Sequence, residues 1–187
     1  MIPRSLQIAL GVLIAITVAL GIFAVKLKRH AEQLQESAAD SMPITPPPAG
    51  PTSTATLVVA HDADASLVRQ KATLPLPQQP SMRTQAALRA LLALYMSKNS
   101  PHPIGPGSDI KDVFIIGNTL AVIDLNSAFA DHHRSGILVE NLTLGSIAQT
   151  VAANAPEIRQ VRFLVEGRER ETLAGHADLL VPFEVTR

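Results

Sequence analysis

Residues 112–126 read DVFIIGNTLAVIDLN, and this stretch decides the fold class. Two runs of apolar and β-branched residues flank Gly117 and Asn118. Both of these residues tolerate the positive φ angles that a tight two-residue hairpin turn requires. The stretch therefore predicts a β-hairpin, with one strand on each side of the turn.

The segments on either side of this hairpin predict helices. Apolar residues recur three and four positions apart over residues 82–98, with Ser81 as the expected N-cap. A second amphipathic pattern covers residues 138–153 and stops before Asn154 and Pro156. Further strands are predicted at residues 56–61, 67–76, 160–167 and 181–185. The order β-β-α-β-β-α-β-β predicts an α+β domain, with two helices packed on one face of a small mixed β-sheet.

The N-terminal part of the chain has the composition of a membrane anchor. Residues 6–25 contain only two polar side chains, and a helix of this length spans about 30 Å, the thickness of a bilayer core. The basic run at residues 26–29 follows directly, with no small-residue cleavage site. An uncleaved single-pass anchor over residues 6–27 is therefore favoured over a signal peptide. Representative positions of this transmembrane segment are Leu6, Leu13, Ile14, Leu20 and Val25.

A tail and a linker complete the predicted organisation. Residues 1–5 precede the anchor, and residues 28–55 combine a polar helical stretch with five prolines between Met42 and Thr52. Proline at this density prevents helix and ladder formation, so we expect a semi-rigid spacer ahead of a domain over residues 56–187. The basic residues that flank the anchor favour a cytoplasmic domain by one charge only, which leaves the orientation open.

Charge and composition exclude several functions. The 16 basic and 16 acidic residues leave no net charge, and aromatic residues make up 3% of the chain, which argues against nucleic-acid binding. The chain has no cysteine, which excludes disulfides, thiolate metal sites, a cysteine nucleophile and a lipidated N-terminal cysteine. Histidines near acidic residues lie in predicted turns without metal-ligand spacing, so we expect no metal and no cofactor.

Two carboxylates and two loops are the candidates for chemistry. Asp124 and Glu140 could act as an acid–base pair in a hydrolase. Because Asp124 ends a predicted strand and Glu140 lies in the first turn of a predicted helix, structural roles and no enzyme are favoured. Ligand sites favour loops, which directs attention to residues 102–108 and 131–136. The candidate ligand or interaction residues in these loops are His102, Ser108, Asp131, His132 and Ser135.

Six short motifs of the domain follow one another in a recognisable order. They are LRALL (88–92), a Pro/Gly break (101–107), LAVIDLNSAF (120–129), a helix entry formed by Ser135, Gly136 and Glu140, QTVAANAPEIRQVRFLVEG (149–167) and GHADL (175–179). Together these motifs resemble the GerMN domain, a GerM-like family of sporulation and spore germination, over about residues 56–183. The residues that carry the family pattern are Asp124, Gly136, Glu140, Gly167 and Gly175.

The resemblance implies a fold similar to the ring-building motif of sporulation complexes, an extracytoplasmic location and no catalytic residues. The chain departs from lipoprotein members because it has no cysteine, and it carries one copy of a domain that some members repeat. We therefore expect a membrane-anchored scaffold, self-assembly or protein-interaction module of the cell envelope, related to sporulation or germination. Its expected partners are the membrane, envelope proteins or a second copy of itself. The alternative is a module that binds cell-wall glycan or a small ligand.

Overall fold

The computed structural model describes residues 51–185. The predicted tail, the transmembrane anchor at residues 6–27 and most of the linker lie outside the described residues. The first strand starts at Thr52, four residues before the predicted boundary of the domain at residue 56.

The first sheet is an antiparallel hairpin of β1 (Thr52–His61) and β2 (Ser66–Pro75). Both strands were predicted, and both are confirmed. In β1, Leu57 and Val59 occupy alternate positions and are buried in the hydrophobic core, whereas most of β2 is exposed. The hairpin's contribution to the core therefore comes mainly from β1, and β2 adds the partly buried Leu67, Ala72 and Leu74.

The second sheet has four strands. They are β3 (Ile110–Ile116), β4 (Leu120–Leu125), β5 (Gln160–Val165) and β6 (Phe183–Glu184), in this order across the sheet. The pairs β3–β4 and β5–β6 are antiparallel, whereas β4 and β5 run parallel, so the predicted mixed character is confirmed for this sheet. The last strand is shorter than the predicted segment 181–185.

The connection between β3 and β4 confirms the predicted hairpin and corrects its turn. Three residues separate the strands, since Thr119 follows Gly117 and Asn118 before β4 begins. Gly117 and Asn118 have φ angles of 57° and 61°, in the left-handed region that these residue types tolerate. The N–H of Thr119 then donates to the Ile116 carbonyl at 3.4 Å and closes the loop.

Three helices accompany the strands within residues 51–185. They are α1 (Pro80–Tyr95), α2 (Ser127–Asp131) and α3 (Ile137–Asn154). The N-cap of α1 is Gln79 rather than Ser81, because proline fits the first helical position, where an N–H would have no partner. The short α2 was not predicted, since five residues are too few to show an apolar period. It is capped by the side chain of Asn126, which accepts the N–H of Phe129 at 3.0 Å.

The prediction of one sheet is wrong, because the β1–β2 hairpin and the four-stranded sheet are separate. The helix α3 packs mainly against β1, while α1 contacts β3, α3 and β1. The helices thus pack against both sheets rather than against one face of a single sheet. The largest fully buried side chains of the core include Tyr95, Phe129, Phe163, Leu88, Ile123 and Leu144.

Side chains of α3 take the place of a strand at the outer edge of β1, where no further strand of the described residues pairs. The N–H groups of Thr56 and Val58 donate to Asn154 Oδ1 at 3.1 Å and to Thr150 Oγ1 at 2.9 Å. The carbonyls of the same two residues accept from Asn154 Nδ2 and from Ser146 Oγ, both at 2.7 Å. Because Ser146, Thr150 and Asn154 recur every four residues, one face of α3 satisfies the backbone groups that a neighbouring strand would otherwise satisfy.

A tyrosine of α1 extends this closure of the β1 edge. The N–H of Ala60 donates to the Tyr95 hydroxyl oxygen at 2.7 Å, and the Tyr95 hydroxyl is itself hydrogen-bonded to Ser146. Burial raises the pKa of Tyr95, although these hydrogen bonds act in the opposite direction. The neutral hydroxyl is therefore the form that links α1, α3 and β1.

Candidate functional site

The outer edge of β3 is the candidate interaction surface. Among the strands of residues 51–185, β3 is the terminal strand of its sheet and has a strand partner on one side only. Side chains of α1 close the beginning of this edge, where Gln85 Nε2 donates to the Lys111 carbonyl at 2.6 Å and Arg89 Nη2 donates to the Ile110 carbonyl at 3.0 Å. Beyond Lys111, no side chain within residues 51–185 is hydrogen-bonded to the β3 backbone.

The open part of β3 also exposes large apolar side chains. Phe114 and Ile116 are 52% and 54% exposed. A shallow concavity of about 540 Å³ lies beside them and is lined by β3 together with Gln79, Pro80 and Ser81 at the start of α1. A strand edge that combines unpaired backbone groups with exposed apolar side chains is a template for pairing with another chain.

The other strand edges within residues 51–185 are protected. The edge of β1 is closed by α3, and β6 has only two residues. On the outer strand β2, Arg69 and Lys71 are exposed, and the strand ends at Pro75. Charged residues and proline hinder edge-to-edge pairing. In the described part of the chain, β3 is therefore the edge that is both open and apolar.

A buried polar network lies beside the first turns of α3. His102 is fully buried, with its Nδ1 atom 2.5 Å from Asp62 Oδ1 and its Nε2 atom 2.6 Å from Thr143 Oγ1. His133 Nε2 lies 2.8 Å from the same hydroxyl of Thr143, and His133 Nδ1 lies 2.8 Å from the Arg134 carbonyl. The Arg134 guanidinium in turn donates to Asp62 Oδ2 at 2.6 Å. The network thus connects three loops to α3.

Burial and hydrogen bonding have opposing effects on the titration of this network. Burial lowers the pKa of His102, and the Asp62 carboxylate partly offsets that effect. Burial also lowers the pKa of His133, against the effect of its bond to the Arg134 carbonyl. For Asp62, partial burial acts to raise the pKa, but hydrogen bonds from His102 and Arg134 outweigh it and lower the pKa.

The order Asp62–His102–Thr143 resembles the acid, base and hydroxyl order of a nucleophilic triad. Thr143 is fully buried, however, and its hydroxyl donates to the Val139 carbonyl at 2.9 Å or to one of the histidines. A substrate has no access to a nucleophile in this position. The arrangement therefore holds the fold together rather than presenting a reactive oxygen.

Glu140 joins the start of α3 to the C-terminal segment. Its carboxylate accepts four backbone N–H bonds of 2.8 to 3.0 Å, from Gly136, Ala174, His176 and Ala177. Burial alone would raise the pKa of Glu140, but these four donors lower it to about 2. The carboxylate is fully buried and occupied, so it serves as an internal acceptor.

Asp124 has a comparable contact at the end of β4. Its Oδ1 atom accepts the N–H of Gly167 at 2.7 Å. Gly167 has a φ of 70°, a left-handed conformation that favours glycine, and it lies in the turn that follows β5. The two carboxylates considered for acid–base chemistry, Asp124 and Glu140, are thus both engaged with backbone donors. Gly175, with a φ of 115°, lies between two of the residues that donate to Glu140.

Two of the five predicted ligand residues are internal. His102 belongs to the buried network, and Ser108 is 3% exposed and donates to the Gly105 carbonyl at 2.8 Å. These two side chains support the loop between α1 and β3 from inside. They are not available on its surface.

The other three predicted ligand residues are exposed and have local partners. Asp131 accepts from Arg170 Nη1 at 3.0 Å, and His132 Nδ1 lies 3.2 Å from a backbone carbonyl of the loop before β3. The Ser135 hydroxyl lies 3.2 Å from His176 Nδ1. Their role in binding a ligand stays a prediction.

The residues that sequence reasoning missed are Phe114, Ile116 and Thr143. The run VFII reads as a strand buried on both faces, and nothing in it marks β3 as the terminal strand of the sheet. Thr143 lies three residues before Ser146, whereas Ser146, Thr150 and Asn154 are four residues apart. The sequence pattern along α3 therefore indicates Thr143 only weakly. Its partners His102 and Asp62 are distant in the sequence, so their convergence depends on the tertiary fold.

The described residues 51–185 contain neither a metal-binding cluster nor a membrane-spanning helix. In this part of the chain, no group of three or more histidine and acidic side chains is placed to hold a metal ion. None of its helices is long and apolar enough to cross a membrane. The predicted anchor lies outside it.

The fold defines a small α+β domain with a two-stranded sheet, a mixed four-stranded sheet and a largely buried helix, α3. The family model Germane, described as sporulation and spore germination, matches residues 56–171, more than half of the chain. The chain therefore belongs to this family, and the resemblance to the GerMN domain is confirmed. No curated protein matches the chain.

Two solved structures share this fold. The first GerMN domain of the sporulation protein GerM from Bacillus subtilis has a TM-score of 0.50 and 19% identity, over 73% of this chain and 98% of that chain. The tandem GerMN domains of the same protein have a TM-score of 0.51 and 15% identity, over 71% of this chain and 46% of that chain. The present chain thus spans about half the length of the tandem structure, and the likeness shows the fold.

Proposed function

We propose that this chain is a membrane-anchored, extracytoplasmic scaffold of the cell envelope, without enzymatic activity, that self-associates through the open edge of β3. The observation that carries the proposal is the contrast between this edge and the protected edges of β1, β2 and β6. Membership in a family of sporulation and spore germination and the apolar composition of residues 6–25 support the proposed location.

The mechanism is the addition of a strand to an existing sheet. A partner strand placed beside Asp112–Ile116 would form backbone hydrogen bonds with β3 and cover Phe114 and Ile116. Backbone bonds of this kind supply affinity, and the apolar side chains supply register and specificity. The protein would thereby extend its four-stranded sheet across two molecules.

A second copy of this chain is the partner we propose for this edge. The partner must itself offer an unpaired, apolar strand, and this chain exposes one. A two-fold contact between identical edges is the commonest closed arrangement of homo-oligomers. The chain has no net charge, so that two copies do not repel each other. The open segment itself contains a single charged residue, Asp112.

The size of this edge predicts a weak contact that a membrane strengthens. A few paired residues cover less than the roughly 1,000 Å² that a stable interface requires. Two copies held on one membrane have a raised effective concentration, which converts a weak contact into a populated one. We therefore expect association of the full chain in a bilayer and little association at low concentration in solution.

Association of the full chain in lipid vesicles tests this proposal. Energy transfer between labelled copies should fall when unlabelled lipid dilutes the protein, and the substitution Ile116→Lys should weaken association by roughly tenfold. The reason is that lysine on an edge strand hinders pairing and that the apolar contact of Ile116 with the partner strand is lost. Because Ile116 is exposed, we expect this substitution to change the free energy of unfolding by about 0.5 kcal/mol or less.

The matched control is Val68→Lys on β2, where an exposed apolar residue lies on a protected strand. This variant should associate like the wild-type chain. Equal association of the two lysine variants would contradict the proposed role of β3. An absence of energy transfer in wild-type vesicles would contradict self-association itself.

A further inference from the structure

The four-stranded sheet has two faces of different character. Successive residues of a strand alternate between the faces, and residues paired across neighbouring strands share one face. The face toward the hydrophobic core carries Val113, Ala121, Ile123, Val161 and Phe163. The opposite face, here called the solvent face, carries the apolar side chains Phe114, Ile116, Leu120, Val122 and Leu164.

The apolar part of the solvent face lies mainly on β3 and β4. Phe114 is paired with Val122, and Ile116 is paired with Leu120. Phe114 and Ile116 are more than half exposed, and Leu120 is partly exposed. An apolar sheet face is normally buried against a second layer. The exposure of these side chains shows that nothing within residues 51–185 supplies such a layer here.

Acidic side chains border this apolar area. The acidic residues on the solvent face or bonded to it are Asp112, Asp124, Glu166, Glu169 and Glu184. Glu166 and Glu169 form ion pairs with a lysine of β3 and an arginine of β5. The other three carboxylates have no basic partner within residues 51–185. The solvent face therefore has a local excess of negative charge, although the whole chain has no net charge.

We propose that the solvent face is a docking surface for a basic amphipathic helix of another protein. In two-layer domains a helix covers the apolar face of a sheet with its own apolar stripe. Here that stripe would lie over Phe114, Ile116 and Leu120, and lysine or arginine side chains at its borders would reach the surrounding carboxylates. The docking surface goes beyond the proposed self-association, because it lies on the flat side of the sheet and exists in a single copy of the chain.

The charge of the solvent face distinguishes a basic helix from two other occupants. A second solvent face would bring two sets of carboxylates together, and an anionic lipid surface would also repel them. A basic helix is attracted by the same carboxylates, which favours its encounter and its orientation on the sheet. Negative charge around an apolar centre therefore selects a basic partner.

Self-association through β3 leaves the solvent face accessible. The two-fold axis that relates two antiparallel edge strands is perpendicular to the sheet, so both copies present their solvent faces on the same side. A partner strand contacts Phe114 and Ile116 from the side, whereas a docked helix contacts them from above. Leu164 on β5 and Glu169 in the turn after it belong to the docking surface only, because β5 lies two strands, or about 10 Å, from β3.

Methyl NMR of the full chain, held as a single copy in nanodiscs of neutral lipid, tests the docking surface. The probe is a helical peptide of leucine and lysine about 18 residues long, roughly 27 Å, with leucines on one face and lysines at its borders. We expect the peptide to shift the signals of Ile116, Leu120 and Leu164, and to leave the signal of Val68 on β2 unchanged. Empty nanodiscs measure the affinity of the peptide for lipid. Because each nanodisc holds one copy, a failure of self-association does not affect this result.

Charge reversal distinguishes a basic helix from any apolar helix. A peptide with glutamate in place of every lysine should bind at least about tenfold more weakly. In the chain, Glu169→Lys should lower the affinity for the lysine peptide by roughly fivefold. The Glu169 side chain is 62% exposed, so this substitution should hardly change the free energy of unfolding. The matched control is Glu157→Lys, at an exposed glutamate before β5, which should bind the peptide like the wild-type chain.

Several results would overturn the proposal. One is an unshifted Leu164 signal in the presence of the lysine peptide, and another is equal affinity for the lysine and glutamate peptides. Equal affinity of Glu169→Lys and Glu157→Lys for the lysine peptide would contradict it as well. The last is a shift of the Leu164 signal without peptide, when anionic phosphatidylglycerol replaces the neutral lipid or when the protein concentration is raised. That shift would assign the solvent face to lipid or to a second copy of the chain.

Discussion

The outer edges of β1 and β3 differ in how far side chains satisfy their unpaired backbone groups. In the described part of the chain, both strands have one side without a strand partner. On β1, side chains of α3 and Tyr95 hydrogen-bond to the backbone at alternate residues. On β3, such contacts stop at Lys111 and leave Phe114 and Ile116 exposed. An edge that the fold closes with its own helix is structural, whereas an edge left open and apolar is available for a partner.

The largest effect on the free energy of unfolding should come from Glu140, which fixes the start of α3, the helix that closes the β1 edge. Its pKa is about 2 in the folded chain, against 4.5 for an unperturbed glutamate, so its charged form contributes about 3 kcal/mol to the free energy of unfolding. Because the folded pKa is the lower one, this contribution is present above about pH 4.5 and is lost as the pH falls towards 2. Glu140→Gln should therefore lose about 3 kcal/mol at neutral pH.

Urea unfolding of the wild-type chain and Glu140→Gln at pH 7 and at pH 3 measures this difference. We expect the gap between the two proteins to narrow at the lower pH. Glu157→Gln, at an exposed glutamate, should unfold like the wild-type chain at both values. A gap that does not change with pH would contradict the role of the charged carboxylate.

A smaller loss of stability should follow when a hydrogen bond that closes the edge of β1 is removed. In Thr150→Val the buried N–H of Val58 loses its acceptor, which costs about 1 to 3 kcal/mol in the free energy of unfolding. The control Thr84→Val removes a hydroxyl that bonds only within α1, and it should cost less. Thermal unfolding of the wild-type chain, Thr150→Val and Thr84→Val checks this order of stability. Equal losses in the two variants would mean that the contact with β1 is not what stabilises this edge.

The hairpin, the two long helices and the family could be predicted from the sequence because their signals are local. Gly117 and Asn118 marked the turn, and the GerMN-like motifs lie within short windows. The split into two sheets could not be predicted in this way. It depends on Ser146, Thr150 and Asn154, which act as strand caps only when α3 lies against β1.

The candidate sites were predicted less well, for a similar reason. His102 was identified from its loop, but its burial between Asp62 and Thr143 is a product of the tertiary fold. The exposure of Phe114 depends on the position of β3 at the end of the sheet, which the composition of the strand does not show. Sequence patterns identified which residues form strands, and the order of strands decided which edge was left open.

Cysteine crosslinking of the full chain in lipid vesicles tests the central claim most directly. The natural sequence has no cysteine, so a single one at position 114 or 68 reports one strand at a time. We expect Phe114→Cys to give crosslinked dimers on oxidation, and Val68→Cys on β2 to give none above the level of random collision. Adding Ile116→Lys to the first variant should remove its dimers. Equal crosslinking from the two positions would contradict self-association through the open edge of β3.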